Sequence, residues 1–188
     1  EAFRKEKIEA GLYFSILDLT SGIGRKSCSR EQKEMIKGQI RELLTNYGEI
    51  PFLIVDGWNA PWGGPSYETL PFEELDDLVK SLQPDCLFMN IGCTKEIRGT
   101  DILFYENAAG QEVDPDFLGP GVSCNKLTDA WFWREKDPKA ALKSAEWVVE
   151  KMKEYYPVNV NLMLNLSPNL QGLIDENLAR EFAKIGTV

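Results

Sequence analysis

The stretch Pro51–Trp62, PFLIVDGWNAPW, decides how this chain is read. Pro51 to Val55 carry no charge and are mostly strand formers; the chain then meets Asp56 and turns through Gly57. A run this short and apolar, ended by glycine, is predicted to be a strand buried on both faces of a parallel sheet. Its carboxyl end holds one carboxylate and two indoles, Trp58 and Trp62. In α/β folds, ligands bind and catalytic residues gather at that end of the strands. Indole planes beside an acid suit a sugar, because they cover its C–H faces while the acid does the chemistry. Asp is also a frequent turn capper, so the stretch alone leaves Asp56 between a structural and a chemical role.

Working upstream, LYFSILDL from Leu12 is predicted to be a strand ending near Asp18, and Thr20–Cys28 a loop rich in Gly and Ser. Ser29 and Gln32 have capping-box spacing. Met35, Ile36, Ile40, Leu43, Leu44 and Tyr47 then follow at helical spacing until Gly48 closes the helix. The opening residues EAFRKEKIEAG read as the last turns of a helix stopped by Gly11, so the chain is taken as a piece of a longer protein. Downstream, Pro71 opens a helix with Phe72, Leu75, Leu78, Val79 and Leu82 on its apolar face. The acids Glu73, Glu74, Asp76 and Asp77 are its solvated, dipole-compatible start. Cys86–Ile91 is a third strand, Ile102–Tyr105 a fourth, and Glu106–Thr128 a long irregular stretch whose apolar content suits an ordered active-site loop. After the aromatic cluster Ala130–Trp133, Asp137 and Pro138 signal a helix start. Val158–Leu166 is the last strand and Ile174–Ile185 the closing helix.

The alternation β-α-β-α-β-(loop)-α-β-α calls for parallel strands joined by crossover helices. Parallel strands bring Asp18, Asp56, Asn90, Glu106 and Asn165 to one rim, as a (β/α)-barrel active site requires. A complete barrel takes roughly 250 residues. Only four or five strands are legible in these 188 residues. The expected fold class is therefore α/β, a TIM-barrel-like (β/α)8 fold represented by its last four to five βα units, with 1–188 forming one partial catalytic domain. A half-barrel exposes strand edges and apolar helix faces. Its expected partner is the remaining half or another copy of itself.

Composition narrows the chemistry. The net charge of −9 argues against nucleic acid, which wants clustered Lys and Arg. No apolar run reaches the length of a membrane span. The four cysteines (Cys28, Cys86, Cys93 and Cys124) lack metal-type spacing and read as free thiols. With no histidine, neither a zinc site nor a His-based triad is expected. Acid–base work falls to Asp, Glu, Lys, Tyr or Cys.

Four segments together resemble the α-L-fucosidases of glycoside hydrolase family 29: GLYFSILD, IRELLTNYGEI, FLIVDGW and NVNLMLNLSPNLQGLID. The resemblance covers nearly the whole chain, and its most specific part is the helix–strand pair ELLTNYG…VDGW. It implies a retaining exo-glycosidase acting on terminal α-linked L-fucose in fucosylated glycans, secreted or periplasmic; no cofactor is expected. It places the nucleophile on Asp56. Many relatives carry the acid/base Glu in a W-E-T-C-like element, but this chain reads PGVSCNKLTDAWFW, with Val122 near that place. Glu106, following a strand at the start of the long loop, is preferred as acid/base, and Glu112 is the runner-up; an exposed loop acid is the plain alternative for each. Trp58, Trp62, Trp131 and Trp133 are pocket walls or core residues. Asn90 and Asn165 bind sugar hydroxyls or satisfy strand-end backbone. The family also draws histidines and a Trp from early barrel strands, so this chain holds about half a pocket. Two other readings stand beside the enzyme: a non-catalytic carbohydrate-binding relative, motivated by Val122, and a barrel glycosidase with another sugar specificity.

Overall fold

The computed structural model describes residues 2–24, 27–60, 63–91, 99–107 and 110–188. Trp62 and Cys93 lie outside the described residues. The chain divides into two compact units, Glu1–Leu103 and Phe104–Val188.

The first unit runs α1 (Ala2–Lys5), β1 (Leu12–Ser15), α2 (Arg30–Asn46), β2 (Phe52–Asp56), α3 (Phe72–Leu82) and β3 (Leu87–Asn90). Its sheet has the order β1-β2-β3, with both pairs parallel. Helix α2 joins β1 to β2 and α3 joins β2 to β3, the usual crossover between parallel neighbours. Helix α2 starts where the sequence signals it: Gln32 N–H donates to Ser29 Oγ at 3.2 Å, and Ser29 N–H donates to Gln32 Oε1 at 2.8 Å. Its buried stripe is Ile36, Ile40 and Leu44; that of α3 is Phe72, Leu75 and Val79. Both stripes join the core with Leu53, Val55 and Phe88 from one face of the sheet. Each such side chain contributes about 1.5–3 kcal/mol by leaving water. Gln83, just past α3, ties the layers together. Its Oε1 accepts Ile50 N–H at 2.8 Å, and its Nε2 donates to the carbonyls of Leu44 at 2.7 Å and Gly48 at 2.9 Å.

The second unit holds the end of β4 (Leu103–Glu106), then β5 (Gly121–Lys126), α4 (Ala145–Tyr155), β6 (Val160–Asn165) and α5 (Glu176–Lys184). The sheet order is β4-β5-β6, and β5 and β6 are parallel. Leu162 and Leu164 of β6 pack with Leu127, Val148 and Leu178 in this unit's core.

Three expectations need correction. Gly121–Lys126 is a strand inside the stretch read as irregular, and it is hidden because Ser123 and Asn125 are polar yet almost wholly buried. Helix α4 starts at Ala145 with Ser144 as its cap, whereas Asp137–Lys139 is only a 3-10 turn. Asp18 does not end a strand. Its carboxylate accepts the N–H groups of Thr20 and Ser21 and the Ser21 hydroxyl in the turn after β1. Those bonds, the Ser21 hydroxyl first, hold it below the usual carboxylate range.

Candidate active site

Register decides which side chains meet. Across the first sheet, Phe14 pairs with Val55 and Val55 with Asn90, while Ser15 pairs with Asp56 and Tyr13 with Ile54. Paired residues share a face, and neighbours along a strand alternate. Leu53, Val55 and Phe88 face the helices. Tyr13, Ser15, Ile54, Asp56 and Met89 therefore share the other face. Asp56, the last residue of β2, is half-buried there. Its carbonyl accepts Ile16 N–H at 2.9 Å, which fixes the backbone. Its Oδ2 accepts the Tyr13 hydroxyl at 2.6 Å. That short contact is a charge-assisted bond to a held carboxylate, stronger than one between neutral groups.

The chain leaves Asp56 through Gly57 at φ +118°, where a side chain would meet Leu17 backbone nitrogen at 2.9 Å. Trp58 then turns inward. It is only 6% exposed, its Nε1 donates to the Leu70 carbonyl at 2.7 Å, and it stacks on Tyr67 with centroids 5.5 Å apart. The structure thus makes Trp58 a core residue. Asn90 is fully buried on the helix-facing side, its Nδ2 donating to Tyr67 Oη at 2.7 Å. It ends a strand as Asp56 does, but it shares the sheet face opposite to that of Asp56.

In the second unit, Glu106 ends β4, half-buried. Its N–H donates to Gln111 Oε1 at 2.9 Å while Gln111 N–H donates back to its carbonyl at 3.2 Å, which closes a tight loop. Burial, and then the Glu106 charge, push the Cys124 thiol up to about 11. Such a thiol is protonated and inert at neutral pH. Glu112 is exposed and accepts from Asn107 Nδ2 at 3.0 Å. Lys126 and Asn165 pair across β5 and β6 and so share a face. Lys126 Nζ lies 5.0 Å from the centre of the Trp131 ring. The Trp131 carbonyl accepts Asn165 Nδ2 at 2.9 Å and Ser167 Oγ at 2.5 Å. Trp131 and Asn165 are thus brought together with Lys126. Trp133 Nε1 donates to Asp175 Oδ2 at 2.7 Å.

Tyr13 and Lys126 were not singled out in the sequence. Tyr13 stands among apolar strand residues, and Lys126 ends a strand whose pattern is concealed. Among the described residues, no group of three Cys, Asp or Glu could hold a metal ion, and no helix is long and apolar enough to cross a membrane.

The chain is similar to known proteins. A family model described as Alpha-L-fucosidase matches residues 1–188. The curated Alpha-L-fucosidase 1 of Arabidopsis thaliana is 26% identical over 197 residues, covering 93% of this chain but 37% of that protein. Alpha-L-fucosidase isoenzyme 1 from Paenibacillus thiaminolyticus superposes with a TM-score of 0.77 at 24% identity, over 99% of this chain and 49% of its own. A putative alpha-L-fucosidase from Bacteroides thetaiotaomicron gives a TM-score of 0.81 at 20% identity, over 99% and 45%. These likenesses show an α/β, TIM-barrel-like fold, and the chain spans less than half the length of each relative.

Proposed function

The chain belongs to the α-L-fucosidase family of glycoside hydrolases, and on that premise we propose that it carries the nucleophile of a retaining exo-α-L-fucosidase, Asp56. The observation that supports this is the setting of Asp56: the end of a central parallel strand, on the sheet face away from the helices, its carboxylate held by a phenol at 2.6 Å. A retaining glycosidase forms and then hydrolyses a covalent glycosyl-enzyme, with a second group acting first as acid and then as base. In this reading Asp56 attacks the anomeric carbon of a terminal fucose. Glu106 protonates the departing oxygen and later deprotonates the attacking water. Trp131 and Asn165 belong to the sugar-binding rim of the second unit, and the substrate is a fucosylated glycan.

The test is hydrolysis of an aryl α-L-fucoside by the complete encoded protein. Asp56→Asn is expected to abolish turnover while the far-UV spectrum stays unchanged; full activity in that variant overturns the assignment. Glu106→Gln is expected to slow substrates with poor leaving groups far more than activated ones, with Glu112→Gln near wild type. The reverse pattern transfers the acid/base role to Glu112. Cleavage of aryl galactosides but not fucosides would point to a glycosidase of another specificity, and fucose binding without turnover to a carbohydrate-binding relative.

A further inference from the structure

Tyr13 has a place in the first unit that the nucleophile reading does not use. It stands on β1, on the same sheet face as Asp56, one step along from Ser15, which faces Asp56 directly. From there its hydroxyl reaches diagonally across the strand pair to Asp56 Oδ2 at 2.6 Å. Tyr13 is also 59% exposed. The bond places a donor on one carboxylate oxygen and leaves Oδ1 as the other face of the group.

We infer that Tyr13 is a positioning residue for the nucleophile, fixing Asp56 through Oδ2 so that Oδ1 is the oxygen that attacks; this rests on Asp56 being the nucleophile. In the glycosylation step Oδ1 gives an electron pair to the anomeric carbon and the bond from that carbon to the leaving oxygen breaks. The released pair stays on the leaving oxygen, which takes a proton from the acid. A carboxylate free to rotate samples attack geometries poorly, and orientation of this kind carries a large share of catalytic advantage. The phenol also stays in place when the ester hydrolyses and the carboxylate returns, so it acts in both half-reactions. Because its hold is on the carboxylate and not on the sugar, its removal acts on kcat and spares KM.

The experiment uses the complete encoded protein with an activated aryl α-L-fucoside. Tyr13→Phe is expected to lower kcat about 10- to 100-fold, the range for a lost hydrogen bond to a charged group, with KM within about threefold of wild type. The same change is then made beside Asp56→Gly, with azide supplied to attack the anomeric carbon in place of the carboxylate. In that background Tyr13→Phe is expected to alter the azide-dependent rate less than about twofold, because the group it positions is gone. An equal loss in both backgrounds overturns the inference by showing that Tyr13 acts on the sugar. A rise in KM alone, or a kcat within about threefold of wild type, overturns it as well. If Asp56→Gly turns over without azide, the nucleophile reading itself fails, an outcome distinct from failure of the Tyr13 role alone.

Discussion

Replacing Gly64 by alanine is expected to destabilise the loop that follows Asp56, because that loop folds back onto its own start. A methyl group on Gly64 would lie 1.9 Å from the Gly57 carbonyl oxygen and 3.0 Å from its carbon, where ordinary contact begins near 3.4 Å. The obstacle is backbone, and it cannot retreat freely, because a substituent on Gly57 itself would meet Leu17 backbone nitrogen at 2.9 Å. Gly64 also has φ +91°, which costs an L-residue about 1–2 kcal/mol by itself. Forcing the crowded loop apart adds about 1–3 kcal/mol. A total near 3 kcal/mol corresponds to a fall of about 6–12 °C in melting temperature for a domain of this size. Gly38 is the control: it lies inside α2 and nothing stands within 4 Å of an added methyl. Gly38→Ala is expected to gain about 0.5–1 kcal/mol through helix propensity. Thermal melts of the two variants of the complete protein, followed by circular dichroism, should therefore move in opposite directions. Fucosidase activity of Gly64→Ala should fall below the folding transition, since Gly57 adjoins Asp56. A Gly64→Ala protein melting within about 1 °C of wild type would refute the close approach.

Trp58→Phe removes a buried hydrogen bond to Leu70 and part of the stack on Tyr67. It is expected to cost about 2–3 kcal/mol in urea denaturation while leaving KM for the fucoside unchanged. A large KM change with little lost stability would return Trp58 to the sugar pocket. Asp76 is raised above the usual carboxylate range by burial first and then by the Asp101 charge, against the pull of Lys80. An acid that holds its proton more tightly in the folded state costs stability when ionised; that cost starts to fall as the pH drops through its folded value and is gone below its unfolded value. Asp76→Asn should accordingly melt higher than wild type at neutral pH, with the gap closing as the pH enters the carboxylate range; a gap that widens on acidification is the contrary result. Ser144→Ala removes the acceptor for Trp147 N–H at the start of α4 and is expected to cost about 1 kcal/mol. Pro138→Ala is expected to leave helix content unchanged, which circular dichroism would check.

Much of the fold was legible because its signals are local. The stripes of α2 and α3 repeat at helical spacing, the capping box of Ser29 and Gln32 forms as spaced, and β2 is short and apolar. The strand β5 was not legible, for a physical reason. Its helix-facing residues are Ser123 and Asn125, and the amide of Asn125 donates to Ser123 Oγ at 3.1 Å. Polar groups that bond to one another can occupy the inner positions of a strand, and the alternation that marks a strand disappears. Asp137 misled for a related reason. Its carboxylate is held by Arg134, accepting the backbone N–H at 2.9 Å and the guanidinium Nη2 at 2.9 Å, so it organises the preceding turn instead of capping α4.

The site itself shows where linear reading stops. A polar residue at the end of a parallel strand can be placed on the rim from sequence, and that was enough to single out Asp56, Asn90, Glu106 and Asn165. Which face of the sheet it occupies depends on pairing register, and one residue of register reverses the face. Asn90 aligns with Val55 and not with Asp56, so two residues that look equivalent in the sequence stand on opposite faces of one sheet. Tyr13 is the converse case, an aromatic within an apolar run that register turns toward the carboxylate. Strand-end position is therefore half of a criterion, and membership of the same face supplies the other half. Applied to the second unit, it keeps Lys126 with Asn165, because the two pair directly across β5 and β6. That pairing puts Lys126, the terminal residue of the strand concealed in the sequence, beside Asn165 on one sheet face.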